Sequence, residues 1–225
     1  MVRAMSERFQ TYELIAFDWD GTLFDSAACI VSSMQAAARE LGLEPPSDAQ
    51  ARQVIGLGLE PALQQAVPTL PRERYRELAE AYRRHYFASA HAVTLFPGVP
   101  ELLQDLRARG HRLAVATGKS RRGLDEALAQ VGLADLFEAT RTADETASKP
   151  HPQMLHELMD EMGVPAHATL MVGDTTHDLQ LAANAGTAAL AVSFGAHEAE
   201  ALAAARPLAL LHSVDALGEW LRRHG

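Results

Sequence analysis

The sequence predicts an α/β protein with a doubly wound parallel sheet, into which a small helical domain is inserted after the first strand. From residue 112 onward, short apolar segments alternate with segments of helical periodicity. This alternation is typical of a parallel sheet covered by helices on both faces. A further apolar segment lies at 13–18, and the apolar residues of the long stretch after it follow a helical spacing instead.

Short apolar segments bounded by turn residues are predicted to be the strands of the sheet. The predicted strands are 13–18, 112–117, 136–140, 169–173 and 188–192. Helices are predicted between them, at 121–131, 152–162 and 177–184. Near the C-terminus we expect an edge strand at 208–211 and a closing helix at 214–223, with Leu217, Trp220 and Leu221 facing inward.

The inserted stretch 26–94 is predicted to be helical. Apolar residues fall on one face of each of two helices: Ile30, Met34, Ala37, Ala38 and Leu41 on the first, and Tyr75, Leu78, Tyr82, Tyr86 and Phe87 on the second. Ser47 is a suitable cap for a short helix ending at Val54, and Pro61 suits a helix that runs to Val67. We interpret the aromatic residues as packing within this unit. The predicted domains are thus an α/β core of 1–24 and 95–225 and a helical domain of 25–94.

Composition and charge limit the classes of partner. The formal net charge of -9 argues against a nucleic-acid binder, because affinity for phosphate backbones comes from clustered Lys and Arg. No apolar segment is long enough to span a bilayer, and the first twelve residues are polar and mixed in charge, without the apolar centre of a signal peptide. The single cysteine, Cys29, excludes an intramolecular disulfide and is expected in the core. We therefore expect a cytoplasmic protein, a monomer or homodimer, that binds neither nucleic acid nor membrane.

Acidic side chains are found at the predicted strand ends. Asp18 and Asp20 follow the first strand, and Asp174 and Asp178 follow the fourth. Ligands of doubly wound sheets bind outside the carboxyl ends of the strands, so these carboxylates are expected to converge there. Mg²⁺ prefers carboxylate and carbonyl oxygens and is usually held by few protein ligands together with phosphate and water.

Residues suited to an anion lie at the same edge. The polar turn Thr117-Gly118-Lys119-Ser120 leads into a helix, whose free N–H groups attract anions, and Lys149 precedes Pro150 at the start of another helix. Carboxylates, a hydroxyl group and a lysine at one site suit an aspartate that attacks phosphorus with the help of a metal. Each residue alone is a weak signal, since a single Asp at a strand end is more often a helix cap. Their order and spacing together predict the site.

These segments resemble the four motifs of the haloacid dehalogenase superfamily. The matching segments are Asp18-Trp-Asp-Gly-Thr-Leu-Phe-Asp25, Ala116-Thr-Gly-Lys119, Ser148-Lys-Pro150 and Val172-Gly-Asp-Thr-Thr-His-Asp178. They occur in the family's order, and the resemblance extends from about Leu14 to Phe194. It implies a Rossmann-like core, and the insert lies where that family carries a helical type-one cap. Within the family the chain is most similar to phosphoglycolate phosphatase-like members.

The resemblance assigns a role to each residue. It implies that Asp18 is the nucleophile that becomes an aspartyl-phosphate and that Asp20 protonates the leaving alcohol and then activates water. It also implies that Mg²⁺ is bound by the Asp18 carboxylate, the Asp20 carbonyl group and Asp174, and that Asp178 orients these ligands directly or through water. Thr117, Gly118, Lys119 and Lys149 are expected to bind the phosphoryl group. His177 departs from the usual pattern, and we favour a solvated side chain there.

Other branches of the superfamily, and one unrelated class of protein, are alternatives to a phosphatase. Asp20 argues against the metal-free dehalogenase branch, which lacks that acid, and residues 26–94 contain no lysine, which excludes an imine-forming phosphonate hydrolase. A sugar-phosphate mutase stays open, because it uses the same core. A non-enzymatic phospho-acceptor module of the receiver type has no such helical insert and about half this length.

The resemblance implies a small phosphomonoester as the substrate, with phosphoglycolate first and nucleotide phosphates, sugar phosphates and pyrophosphate behind it. Recognition of the substrate is assigned to the inserted helices. Arg52, Arg83 and Arg84 are candidates to bind a substrate carboxylate, although surface arginines on helices are commoner. The loop Gly56–Glu60 is either part of the site or a simple helix connection, and the sequence favours neither interpretation. Asp25 is expected at the hinge between the domains.

Overall fold

The computed structural model of the protein describes residues 12–225. Residues 1–11, which include most of the polar N-terminal segment and the beginning of the predicted core, lie outside the described residues. Parallel strands form one sheet in the order β3-β2-β1-β4-β5-β6. They are β1 (Leu14–Phe17), β2 (Arg112–Thr117), β3 (Ala139–Thr142), β4 (Thr169–Gly173), β5 (Ala188–Val192) and β6 (Leu210–Leu211). The strand order reverses between β1 and β4, which confirms the predicted doubly wound parallel sheet.

Helices cover the sheet and form the insert. The insert contains α1 (Ala27–Glu40), α2 (Asp48–Gln53), α3 (Leu59–Ala66) and α4 (Tyr75–Ser89). The sheet is covered by α5 (Val99–Ala108), α6 (Arg121–Val131), α7 (Gln153–Met162), α8 (Thr176–Ala185), α9 (Ala199–Ala204) and α10 (Val214–His224). The predicted cap at Ser47 is confirmed, since its side chain accepts a hydrogen bond from the Gln50 amide. Within the described residues, no helix is both long and apolar enough to cross a bilayer.

The third strand was predicted three residues too early. Residues 134–136 form a 3-10 turn, closed by a hydrogen bond from the Leu136 amide to the Leu133 carbonyl, and β3 begins only at Ala139. Leu136 and Phe137 are apolar because they pack into the core, and the sequence pattern cannot distinguish such residues from a strand. Helix α5 was not predicted, and the predicted edge strand 208–211 is shortened to β6. Leu217 and Leu221 are buried as predicted, and Trp220 is half-buried.

The sheet has an apolar core on each face. Ile15 and Phe17 of β1 point into one core, whereas Leu14 and Ala16 point into the other, as alternate residues of a strand must. A strand that is buried on both faces needs apolar residues at successive positions, which explains why β1 is a continuous apolar segment in the sequence. This arrangement places Asp18, the residue directly after β1, at the carboxyl edge of the sheet.

The insert has an apolar cluster of its own, formed where α1 packs against α4 and α2–α3 closes one side. The two connections to the sheet domain run side by side, with a hydrogen bond from the Asp25 amide to the Thr94 carbonyl. Phe87 departs from the predicted packing face, because its side chain is exposed. The domain boundaries at 24/25 and 94/95 stay a prediction.

Candidate active site

Three carboxylates meet at the carboxyl edge of β1 and β4. These strands are neighbours with Phe17 paired to Val172, so Asp18 and Asp174 leave the sheet close to one another. Asp178 approaches them from the first turn of α8. All three are fully buried, and each offers one oxygen that lies within 4.8 Å of the others. The structure therefore brings together the predicted acidic residues.

Lys149 is the cation within this acidic group. Its Nζ lies 2.8 Å from Asp18 Oδ1 and 2.6 Å from Asp178 Oδ1, and the side chain is buried. Burial lowers the pKa of Lys149, but the charges of Asp178 and Asp18 outweigh this and raise it above its ordinary value. One ammonium group cannot neutralise three carboxylates, so the cluster keeps an excess of negative charge.

Asp18 carries the least satisfied carboxylate. Oδ2 accepts no hydrogen bond from residues 12–225, and Oδ1 contacts the Lys149 ammonium without a hydrogen bond of good geometry. Burial raises the pKa of Asp18 to about 7, although the charge of Lys149 opposes the shift. A buried carboxylate oxygen without a donor is unusual, because its desolvation is not compensated. Such an atom suits a nucleophile or a metal ligand.

Asp174 and Asp178 are held firmly by neighbouring residues. Asp174 accepts hydrogen bonds from Thr22 Oγ1 and from the Ala196 amide, both at 2.7 Å. Burial, and then the charges of Asp18 and Asp178, raise the pKa of Asp174 well above its usual range. Asp178 accepts from the Thr175 amide and hydroxyl groups, which makes it part of the capping box of α8 as well as the partner of Lys149.

Two glycines allow the chain to close around Asp174. A Cβ atom at Gly21 or at Gly195 would lie 2.2 Å from Asp174 Oδ2. Gly21 also has a φ of +84°, a conformation that other residues rarely adopt. The loop after β5, with Gly195 and Ala196, was missed by the sequence analysis. The sequence offered only Gly195 as a sign of a close backbone approach, and a single glycine does not indicate that the Ala196 amide donates a hydrogen bond to Asp174.

Asp20 lies on the side of the cluster that faces the insert. Its carboxylate accepts from Ser26 Oγ at 2.6 Å and from Lys119 Nζ at 2.9 and 3.0 Å. Lys119 also donates to the hydroxyl oxygen of Tyr86 at 2.8 Å. The ammonium group of Lys119 is therefore fully engaged, and its predicted contact with the phosphoryl group stays a prediction. Tyr86 packs in the apolar cluster of the insert, as predicted, and its hydroxyl group also reaches the site.

The loop between α2 and α3 is part of the site. A Cβ atom at Gly118 would lie 2.5 Å from the carbonyl oxygens of both Gly56 and Leu57, so the two backbones meet there. The Gly58 amide donates to Ser148 Oγ at 2.7 Å, beside Lys149. The loop Gly56–Glu60 is thus part of the site and not only a connection between two helices. Thr117 is buried at the end of β2, and its Oγ1 accepts from the Lys119 amide at 3.2 Å.

Two histidines fasten the insert near the acidic cluster. The Nε2 atoms of His177 and His197 lie 3.0 and 3.2 Å from the carbonyl oxygen of Gln53, and the two rings meet edge to face. His177, for which a solvated side chain was favoured, is partly exposed, and its ring also binds the C-terminal end of α2. Burial lowers the pKa of His197, and the neighbouring His177 lowers it further.

A cavity of about 680 Å³ extends from Asp18 and Asp20 to the surface, between the insert and the loops after β2 and β3. Its floor is formed by the two aspartates together with Thr117, Gly118 and Lys119. The insert contributes residues from α1, from 54–62 and from α4. The candidate arginines are dispersed: Arg83 lines the cavity, Arg84 pairs with Glu40, and Arg52 contacts the Gly195 carbonyl at 3.4 Å.

A doubly wound sheet with this acidic edge and helical insert defines a hydrolase of the haloacid dehalogenase class. The family model for haloacid dehalogenase-like hydrolases matches residues 15–192, and the chain belongs to that family. The predicted resemblance is thereby confirmed.

Named relatives match along most of the chain. It is 41% identical over 202 residues to a probable phosphatase IndB from Dickeya dadantii, covering 86% of each protein. It is 33% identical over 207 residues to a phosphoglycolate phosphatase from Vibrio vulnificus, covering 88% of this chain and 91% of that one.

Solved structures show the same fold. A predicted phosphoglycolate phosphatase from Haemophilus somnus superimposes with a TM-score of 0.84 at 25% identity, covering 95% of this chain and 98% of that one. A putative β-phosphoglucomutase from Bacteroides vulgatus also gives 0.84, at 20% identity and with 96% and 91% covered. This second likeness shows the fold alone.

Proposed function

We propose that this hydrolase is a magnesium-dependent phosphatase that cleaves a phosphomonoester through an aspartyl-phosphate on Asp18. The observation that carries the proposal is the buried Asp18 carboxylate at the bottom of the cavity, with an Oδ2 atom that accepts no hydrogen bond from residues 12–225. The names of the relatives, phosphatase and phosphoglycolate phosphatase, support this reaction class.

The first half of the reaction transfers the phosphoryl group to Asp18. Oδ2 attacks phosphorus, the bond between phosphorus and the alcohol oxygen breaks, and Asp20 gives its proton to the departing oxygen. Thr117 already accepts a hydrogen bond from the Lys119 amide, so its hydroxyl hydrogen is left to donate to a phosphoryl oxygen. Lys149, held by Asp178, opposes the negative charge of the reacting groups.

The second half releases inorganic phosphate. Asp20 now takes a proton from a water molecule, whose oxygen attacks phosphorus and frees the Asp18 carboxylate. Ser26 and Lys119 hold the Asp20 side chain in one orientation for both proton transfers. The two acids thus keep the separate roles that the sequence motif implies.

The residues at this edge fit a magnesium ion. Asp18, Asp174 and Asp178 give three buried carboxylates against the single charge of Lys149. A hard divalent cation compensates such an excess of charge. Asp18 and Asp174 would hold it together with the Asp20 carbonyl group, and Asp178 would orient the ligands. When bound, the ion supplies charge stabilisation to the phosphoryl group.

Phosphoglycolate is the reference substrate, because the resemblance and the names of several relatives favour it. A sugar-phosphate mutase is the second candidate, since the same core supports both reactions. The receiver-type module is not retained, because the chain belongs to a hydrolase family and carries the helical insert.

A phosphate-release assay tests the proposal. We expect the protein to release phosphate from a panel of phosphomonoesters only with Mg²⁺, and Asp18→Asn to abolish the release. Activity that survives this substitution, or that needs no divalent cation, would contradict the mechanism. Isomer formation from a sugar phosphate without phosphate release would favour the mutase.

A further inference from the structure

The cavity is larger than a small phosphorylated acid requires. Its volume is about 680 Å³, within the range of about 300–1,000 Å³ that is typical of sites for drug-sized ligands. The phosphoryl group occupies only the floor, next to Asp18 and Thr117. The space between this floor and the surface remains for the alcohol part of the substrate.

The walls around this space are mainly apolar. The apolar residues come from α1, from 54–59 and from α4: Ile30, Met34, Val54, Ile55, Leu57 and Leu59, together with the aromatic residues of α4, of which Tyr86 contacts Lys119 of the floor. An ionised group placed against such walls loses hydration without gaining a partner. The upper cavity is therefore suited to an uncharged group.

The aromatic residues of α4 form a continuous series. Tyr82 and Tyr86 stack with ring centroids 5.8 Å apart, and Phe87 meets Tyr86 edge to face at 5.9 Å. Phe87 is 36% exposed, and among the described residues only Leu208 is another large exposed apolar side chain. A planar ring lying against this series would bury the exposed part of Phe87 and gain ring contacts.

The cations near the cavity offer little to a second anionic group. Lys119 is bound to Asp20 and Tyr86, and Arg122 pairs with Glu126 at 2.8 Å while its guanidinium lies over Phe87. Arg83 is exposed at the cavity and makes no ion pair with the described residues. Arg83 is thus the one cation lining the cavity that has no ion pair among the described residues, and because its side chain is exposed to water it would contribute little to the binding of a carboxylate.

From these observations we propose that the natural substrate is a phosphomonoester of an uncharged, largely apolar alcohol that carries a planar ring. The proposal rests on the proposed phosphatase function and names its substrate class. The ring lies against Tyr82, Tyr86 and Phe87, and the ester oxygen points to Asp20. Specificity comes from burial of the ring rather than from a second ion pair.

Three primary alkyl phosphates with similar leaving alcohols test the proposal: 2-phenylethyl phosphate, ethyl phosphate and phosphoglycolate. We expect kcat/KM with Mg²⁺ to be about tenfold or more higher for 2-phenylethyl phosphate than for the other two, the gain of one or two ring contacts. Phe87→Ala should reduce this preference severalfold. Leu208→Ala also truncates an exposed apolar side chain, but one outside the cavity, and it should leave the preference unchanged.

Each outcome separates the two proposals. If none of the three esters is hydrolysed but another ester of the panel is, the phosphatase function stands and the substrate class is overturned. If no ester of the panel is hydrolysed, the phosphatase function fails and the substrate class fails with it. If phosphoglycolate or ethyl phosphate is cleaved as well as the ring-bearing ester, the reaction stands and the substrate class is overturned. If the preference for the ring-bearing ester survives Phe87→Ala, the assignment of the ring to α4 is contradicted. It is contradicted equally if Leu208→Ala reduces the preference as much as Phe87→Ala does.

Discussion

The floor and the outer wall of the cavity are built from different kinds of interaction. At the floor, buried charged groups are held by short hydrogen bonds from several elements of the sheet domain, as at Asp174, which accepts from both Thr22 and Ala196. The outer wall is made of apolar and aromatic side chains of the insert. In the proposed function, the fixed charges of the floor act on the reacting phosphoryl group. In the proposed substrate class, the wall selects by shape and apolar area, which can change without altering the reaction.

The two regions are joined at a few points. Lys119 of the sheet domain donates to Tyr86 of the insert, and Gly118 lies directly under the carbonyl groups of Gly56 and Leu57. On the other side, His177 and His197 bind the Gln53 carbonyl. Changes at the floor, at the junction and on the wall should therefore have distinct consequences.

The largest effect is expected at the floor, for Lys149→Met. This change leaves Asp18 and Asp178 buried without their cation, which should lower the free energy of unfolding by about 3–5 kcal/mol and kcat by about a thousandfold or more. Chemical denaturation and phosphate release measure the two effects. Lys119→Met is the control for a less buried lysine of the site. A Lys149→Met protein with native stability would contradict the charge balance described for the cluster.

A smaller effect is expected at the junction, for Gly118→Ala. The new methyl group would lie 2.5 Å from two backbone carbonyl oxygens of the insert, so the loop 56–57 must move away from the floor. We expect kcat/KM to fall by about tenfold to a hundredfold, because reacting groups tolerate little misplacement. Gly218→Ala in α10 is the matched control, because its Cβ would meet only side-chain atoms, the flexible end of Arg222 at 3.3 Å and Leu102 Cδ1 at 3.5 Å. Equal activity of both variants would show that the junction does not position the insert.

Tyr86→Phe should have a milder effect. It removes the hydroxyl oxygen that accepts from Lys119 and keeps the ring that lines the cavity. The lost hydrogen bond is worth about 1 kcal/mol, so we expect kcat to fall about fivefold, with a changed pH profile because Lys119 orients the proton-carrying Asp20. Tyr75→Phe on the same helix, outside the cavity lining, is the control. An unchanged pH profile would mean that Tyr86 acts on the wall only.

The last prediction concerns the stability of the metal-free protein and not its activity. Because the pKa of Asp18 is raised from 3.8 to about 7 on folding, the folded state binds more protons than the unfolded state between these values. Its contribution to stability is therefore present below about pH 4 and is lost as the pH rises to about 7. Thermal unfolding in the presence of a chelator measures this, and Asp18→Asn should flatten the dependence. An identical pH dependence in both proteins would contradict the burial of an uncompensated Asp18.

The sequence was most informative where the fold fixes a residue by its position at a strand end. Asp18 and Asp174 had to lie close together once β1 and β4 were neighbours, so the floor followed from the motif and the strand pattern. Lys149 was predicted through the resemblance, because nothing local to its segment shows that it reaches two carboxylates of other elements.

The parts that were missed depend on tertiary contacts. The Ala196 amide binds Asp174 through its backbone, which leaves no trace in residue type. Tyr86 shares helical spacing with core residues, and only the packing of α4 against the sheet domain places its hydroxyl group at Lys119. His177 likewise finds its partner, the Gln53 carbonyl, across the two regions.

The most direct test of the account is to trap the phosphorylated protein. The protein is mixed with Mg²⁺ and an excess of phosphomonoester, quenched in acid within milliseconds, digested and analysed by mass spectrometry. We expect the mass of one phosphoryl group on the peptide that contains Asp18, and none on that peptide from Asp18→Asn. Phosphate release without any phosphorylated Asp18, or phosphorylation at another residue, would contradict the assignment of Asp18 as the nucleophile.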